Sequence, residues 1–162
     1  MKKTIILSAI IGLGILGSCG GNKSENKSSD GSKEEGPKSM VSDPAKYDPK
    51  RGEGKYTAEN LKLGVLDNTL ATEGEKIAGV KCTSCHKTTD EKLVGPGWKG
   101  VTARRAPEWI MNFITNPEGM IEKDPELQAQ LEICLVRMPN QSLTDTDARN
   151  LLEFMRKNDG VK

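Results

Sequence analysis

The five residues Cys82-Thr83-Ser84-Cys85-His86 constrain this chain more than any other feature of it. Two thiols three positions apart fall on one face of a helical turn, and the next residue places an imidazole beside them. A structural zinc site needs two further Cys or His ligands, and the chain has no other His and one spare thiol, Cys134. A dithiol redox pair normally opens a helix after a strand and has no need of the His. A disulfide closed across two residues is strained. The chemistry that uses all three side chains is covalent haem attachment: the thiols of Cys82 and Cys85 add to the two vinyl groups, and His86 binds the iron.

The start of the chain reads as an address. Lys2 and Lys3 precede an apolar run from Ile5 to Leu16, which is short of the roughly 20 residues that span a bilayer. The run ends in Leu16-Gly17-Ser18-Cys19, similar to a bacterial lipoprotein box, in which the cysteine takes a diacylglycerol and becomes the mature N-terminus. The bland alternative is an ordinary secretory signal with an incidental cysteine. Several acyl chains on Cys19 suffice for stable anchoring, where one chain is marginal. Export to an oxidising compartment also suits haem attachment.

Residues 20–56 are dominated by Gly, Ser, Lys, Glu, Asp and Asn. Such a stretch buries too little apolar surface to offset chain entropy, so it reads as a disordered tether. As a flexible coil it spans roughly 30–35 Å on average. The expected organisation is a signal peptide over 1–18, the lipidated Cys19 and tether over 19–56, and a folded domain over 57–162.

Aromatic residues are only 4% of the chain and hydrophobic residues 35%. Part of the chain is therefore unfolded, or something other than side chains fills the core, and both fit here. From Thr57 onward there are 14 Lys/Arg against 16 Asp/Glu, a net of −2, which gives no reason to expect nucleic acid.

With His86 the only histidine, a second axial histidine is impossible within a monomer. Met155 falls with Ala148, Leu151 and Leu152 on one helical face and reads as core, as does Met111. Met120, in a Pro/Gly-containing segment, is a weak candidate ligand. Met138 precedes Pro139 between two helical stretches, and a residue before proline is biased to extended geometry that leaves its side chain free to face a ligand. Met138 is the favoured second axial ligand, with an open iron as the other outcome. Cys134 reads as a small buried residue in a helix, its alternatives being a redox-sensitive thiol or an intermolecular bridge.

These segments together resemble the class I cytochromes c. A short helix from Thr72 to Val80 leads into the haem motif, Gly95-Pro96 follows, then Met138-Pro139, and a last helix opens with Thr144-x-x-Asp147, a near relative of the capping box. The resemblance implies an all-α fold of four or five short helices around one covalently bound haem c, with the first and last helices crossing. It implies that the Pro96 carbonyl accepts the His86 ring N–H, fixing tautomer and orientation. Trp98 and Trp109 are placed at the haem edge, where either indole N–H reaches a propionate, or are plain core. Arg104 and Arg105 pair with propionates or are solvated. Pro107 and Pro125 fit first turns of helices, with Asp124 capping the second. The stretch from Leu93 to Arg105, with Pro107-Glu108-Trp109-Ile110, is similar to lipoprotein cytochromes of Bacteroidota-type bacteria, some encoded near nitrous oxide reductase and others serving terminal oxidases.

The expected function is a monomeric, lipid-anchored electron carrier on the periplasmic side of a bacterial membrane. It takes single electrons from a quinol-oxidising complex and passes them to a terminal reductase or oxidase. A small-gas sensor and a peroxidase-like enzyme are the rivals, and both need an open iron.

Overall fold

A computed structural model describes residues 47–162, whose only regular secondary structure is helix, with no strand among the described residues. Six helices follow in order: α1 Asn68–Lys81, α2 Val101–Arg104, α3 Pro107–Thr115, α4 Pro117–Lys123, α5 Pro125–Cys134 and α6 Asp145–Asn158. No helix among them is long and apolar enough to cross a membrane. The putting of polar side chains at helix starts explains most boundaries. The Asp67 carboxylate accepts from the Thr69 and Leu70 N–H groups and starts α1 four residues earlier than the expected Thr72. Prolines open α3, α4 and α5, where a missing N–H costs nothing. Asn116 ends α3 and caps α4, and Asp124 ends α4 and caps α5, so residues 107–134 form a run of short helices. At α6 the Thr144 and Asp147 side chains each accept from the other's backbone N–H, a complete capping box.

The expected four or five helices thus become six. One that was not anticipated is α4, in the Pro/Gly-containing segment that carries Met120. Pro117 sits at the one helical position that favours it, and the Asn116 side chain accepts from the Gly119 N–H.

The core is built on the packing of α1 against α6. Gly74 marks their closest approach: a Cβ there would lie 2.0 Å from the Asn150 carbonyl oxygen. On either side of that contact, Ala71 and Ala78 of α1 and Ala148, Leu151, Leu152 and Met155 of α6 are buried. Each large side chain so buried stabilises by roughly 2 kcal/mol. Fully buried Glu153 lies on the same helix, its carboxylate 2.6 Å from Arg149 and 2.8 Å from Arg156. The two guanidinium groups also donate to the carbonyls of Lys62 and Gly64, which holds down the segment ahead of α1. Since α1 runs into Cys82, whatever fixes α1 fixes the thiol pair.

One boundary moves. Residues 47–56, expected as the end of a disordered tether, pack against α3, α4 and the start of α6, while 19–46 lie outside the described residues. The Tyr47 hydroxyl donates to Asp124 at 2.5 Å, and the Tyr56 hydroxyl donates to Asp145 at 2.8 Å. The buried Asn112 side chain accepts from the Tyr56 N–H and donates to the carbonyls of Arg51 and Tyr56. The Glu53 N–H meets the Met120 sulfur. A composition that is polar on average hid two tyrosines and a handful of backbone groups that find specific partners.

Both tyrosine hydroxyls are pushed well above the usual phenol range, first by burial and then by the carboxylate each one faces. A raised phenol pKa contributes stability that is fully present below the unfolded value of about 10 and is lost as pH climbs toward the folded value. Thermal melts from pH 8 to 11 are therefore expected to show a stability loss above about pH 10 that Tyr47→Phe with Tyr56→Phe flattens. At pH 7, Tyr47→Phe alone should cost about 1–2 kcal/mol, because the buried Asp124 carboxylate loses a donor.

Candidate haem site

The site begins at the end of α1. The Cys85 and His86 N–H groups both bond back to the Cys82 carbonyl, wrapping the motif into a turn that continues the helix. A loop then returns over it: Gly95 N–H donates to the Cys85 carbonyl, Trp98 to Lys87 and Lys99 to Thr89. This return brings the Pro96 carbonyl oxygen to 2.8 Å from His86 Nδ1. With Nδ1 protonated and donating, Nε2 is left as an unprotonated donor for a metal. Gly95 lies under the ring so closely that a Cβ there would sit 2.4 Å from His86 Cε1. The Trp98 ring packs against the imidazole with centroids 5.6 Å apart, and Phe154 of α6 meets Trp98 edge-on.

Two clefts open from the imidazole, of about 600 Å³ and about 1020 Å³ with their mouths included. His86, Pro96, Phe113, Gln130 and Met138 line both, so the two are halves of one site whose size is that of a cofactor pocket. Met138 lies in the helix-free segment between α5 and α6, half-buried against the core. The other candidate, Met120, is fully buried in α4 with its sulfur engaged by the Glu53 N–H, and it lines neither cleft. Met111 is core as expected, whereas Met155 is both core and cleft wall.

The donor set fits a haem and little else. Cys82 and Cys85 are free of any disulfide, and among the described residues no cluster of three or more His, Cys, Asp or Glu is placed to hold a metal ion. Burial pushes the Cys82 thiol up to about 11. A thiol so reluctant to ionise is a poor redox nucleophile, whereas a thioether at the same place has no charge to bury. What remains is the imidazole of His86, the side chain of Met138 and the thiol of Cys85 around an apolar slot, with the buried Cys82 thiol one turn earlier in the same motif, and these are the groups a covalently held haem needs.

Other expected residues meet different partners. The Trp109 indole N–H donates to Asp124 at 2.9 Å, so it is committed within the core and the proposed propionate contact is withdrawn for it, although its ring still lines the larger cleft. Asp124 thereby joins Trp109, Tyr47 and the first turn of α5 at one carboxylate. Arg105 stacks over the Trp109 ring at 4.3 Å and pairs with Glu126. Arg104 donates to the Lys99 carbonyl at 2.6 Å from the rim of the cleft, and Trp98 is buried in its wall. Cys134 is the last residue of α5, half-buried at the wall of the smaller cleft. Phe113 and Gln130 were not anticipated. Phe113 lies one helical turn after Trp109, a spacing that places both on one face, whereas nothing local marks Gln130.

The close fit at Gly95 is directly testable. Gly95→Ala should displace the imidazole or the returning loop, costing about 1–3 kcal/mol of holoprotein stability as overpacking does. Its optical spectrum should gain a high-spin component absent from the wild type.

A cytochrome c family model matches residues 71–159. Among solved structures, a cytochrome c from Rhodothermus marinus is 34% identical, with a TM-score of 0.61 over 64% of this chain and 90% of that one. An engineered cytochrome c from the same organism is 33% identical with a TM-score of 0.60. An engineered form bound to a carbene intermediate is 34% identical with a TM-score of 0.58, and both engineered forms have the same coverage as the first. No curated protein sequence matches the chain. The chain belongs to the cytochrome c family, with its class I all-helical fold and its covalently attached haem c.

Proposed function

We propose that this cytochrome is a membrane-tethered electron shuttle in which Cys82 and Cys85 form the thioethers and His86 and Met138 are the axial ligands. The observation that carries the proposal is the shared lining of the two clefts by His86 and Met138, with His86 Nδ1 already occupied by Pro96. The haem supplies one-electron iron chemistry. The polypeptide holds the imidazole in one tautomer through Pro96, keeps the ring from turning by packing Gly95 and Trp98 against it, and excludes water with Phe113, Ile114 and Met155. Two ligands kept in both oxidation states leave little to reorganise and no site for substrate. Trp98, on the wall of the larger cleft, is the residue we assign to a propionate, since both terminal nitrogens of Arg104 already donate to the Lys99 and Gly97 carbonyls.

The respiratory setting rests on the sequence. The lipoprotein-like box at Cys19 and the polar stretch after it support a monomer leashed to the periplasmic side of a bacterial membrane, carrying electrons from a quinol-oxidising complex to a terminal reductase or oxidase. The similarity of residues 93–110 to Bacteroidota-type lipoprotein cytochromes supports the same setting. The carbene held by an engineered neighbour is a property of that protein. Here a methionine lining the cleft supports a carrier over a sensor or a peroxidase.

The oxidised wild-type holoprotein should show a weak far-red charge-transfer band and fail to bind carbon monoxide when reduced. Met138→Ala should lose the band and bind carbon monoxide readily. A wild type that is high-spin and binds carbon monoxide would refute the shuttle. For the anchor, Cys19→Ser should move the protein from the membrane to the soluble fraction of the producing cell, and a variant that stays on the membrane would rule out lipid at that residue.

A further inference from the structure

Residues 136–142 carry Met138 and have no regular structure. Their own hydrogen bonds are local: the Gln141 side chain donates to the Pro139 carbonyl at 3.3 Å, and the Ser142 N–H donates to the Asn140 side chain at 2.9 Å. Leu135 and Ser142, at the two ends, have φ of 59° and 51°, a conformation that costs backbone energy in any residue with a side chain. Bonds this local do not fix where the loop sits on the rest of the protein. Among the described residues, one hydrogen bond joins it to a distant part of the chain: the Lys81 ammonium donates to the Gln141 carbonyl at 2.8 Å, across 60 positions.

Lys81 is the last residue of α1 and immediately precedes Cys82. The helix dipole favours a cation at that end, which explains the charge but not its partner. The ammonium reaches past its own helix to a main-chain carbonyl three residues beyond Met138. The helix it leaves is itself fixed, packed on α6 with Gly74 at the closest approach, and it runs directly into the turn that carries His86. On the other flank, the Lys92 ammonium of the returning loop donates to the Ile133 carbonyl at 3.1 Å, five residues ahead of Met138. That bond is longer and exposed, where a lysine contact contributes little. The Lys81 bond is partly buried, and a charged donor on a carbonyl is stronger than a neutral one.

We propose that Lys81 is a positioning residue for the sixth ligand: its ammonium holds the Gln141 carbonyl and thereby keeps Met138 at the site that His86 faces. The proposal rests on Met138 as the ligand. A methionine on a loosely tied loop leaves the iron whenever the loop opens locally, and an outside ligand then enters. Lys81 sets how often the loop opens, while the packing around His86 is untouched.

Cyanide is the probe, because in excess it binds the oxidised, intact holoprotein at a rate set by the departure of Met138. Lys81→Met keeps most of the stem and removes the donor, and it should take up cyanide about tenfold faster than the wild type. In urea its far-red band should vanish at a lower concentration than in the wild type, with the midpoint of the helical circular dichroism unchanged. Lys81→Arg retains a donor for the carbonyl and should return both readings toward the wild type. Lys76→Met controls for lost charge, since Lys76 pairs with Glu73 on the exposed side of the same helix, and it should match the wild type. Equal cyanide rates in the wild type and Lys81→Met would overturn the proposal. So would a far-red band and a helical signal that weaken together in Lys81→Met, or the same acceleration in Lys76→Met. A wild type without the far-red band would overturn Met138 ligation itself, so the two failures are distinguishable.

Discussion

The hydrogen bond between His86 Nδ1 and the Pro96 carbonyl oxygen, 2.8 Å long, is the contact on which the rest of the site depends. It joins the end of the α1 turn to the returning loop. It also decides chemistry, because an imidazole that donates through Nδ1 offers its other nitrogen to a metal with its tautomer already chosen. The loop is brought into place by three backbone bonds from Gly95, Trp98 and Lys99 back to the segment 85–89. Gly95 is required for that return, since any side chain would strike the ring.

Rigidity reaches the same point from behind. Gly74 lets α1 lie directly on the α6 backbone, and the buried Glu153, held between two arginines, fastens the chain entering α1 to the helix it packs against. A charge buried in this way adds little net stability but tolerates few alternative packings. On the other side of the cleft, Asp124 gathers Tyr47, Trp109 and the start of α5 at one carboxylate, so the segment ahead of the domain is tied into the wall that faces the haem. Met138 comes from the least regular stretch, between Leu135 and Ser142, two non-glycine residues with positive φ. His86 thus sits in a dense frame and Met138 in an irregular loop.

What was legible in the sequence was short-range. The haem motif, the prolines at first turns, the Asp124 cap and the Thr144–Asp147 capping box each depend on residues within about ten positions of one another, and the return to Gly95-Pro96 was implied by the family resemblance. What was not legible was long-range pairing of polar groups. The Trp109 indole finds a carboxylate 15 residues away, and Tyr47 reaches the same group across 77. No local pattern encodes either. The same blindness placed residues 47–56 in a tether, because mean polarity registers neither a buried amide such as Asn112 nor a hydroxyl with a specific acceptor. Met120 is set aside as a ligand by the contact of its sulfur with the Glu53 N–H, which no spacing reveals.

The most direct test of the central claim, that His86 and Met138 share one iron, is proton NMR of the reduced holoprotein. A methionine bound to haem iron has its ε-methyl and γ-methylene protons carried far upfield by the ring current, out of the range of every other side chain. The account predicts one such methionine, assigned to Met138 by its absence from Met138→Leu, together with one similarly displaced imidazole assigned to His86. A reduced protein with no upfield methionine, or with one that persists in Met138→Leu, would contradict it.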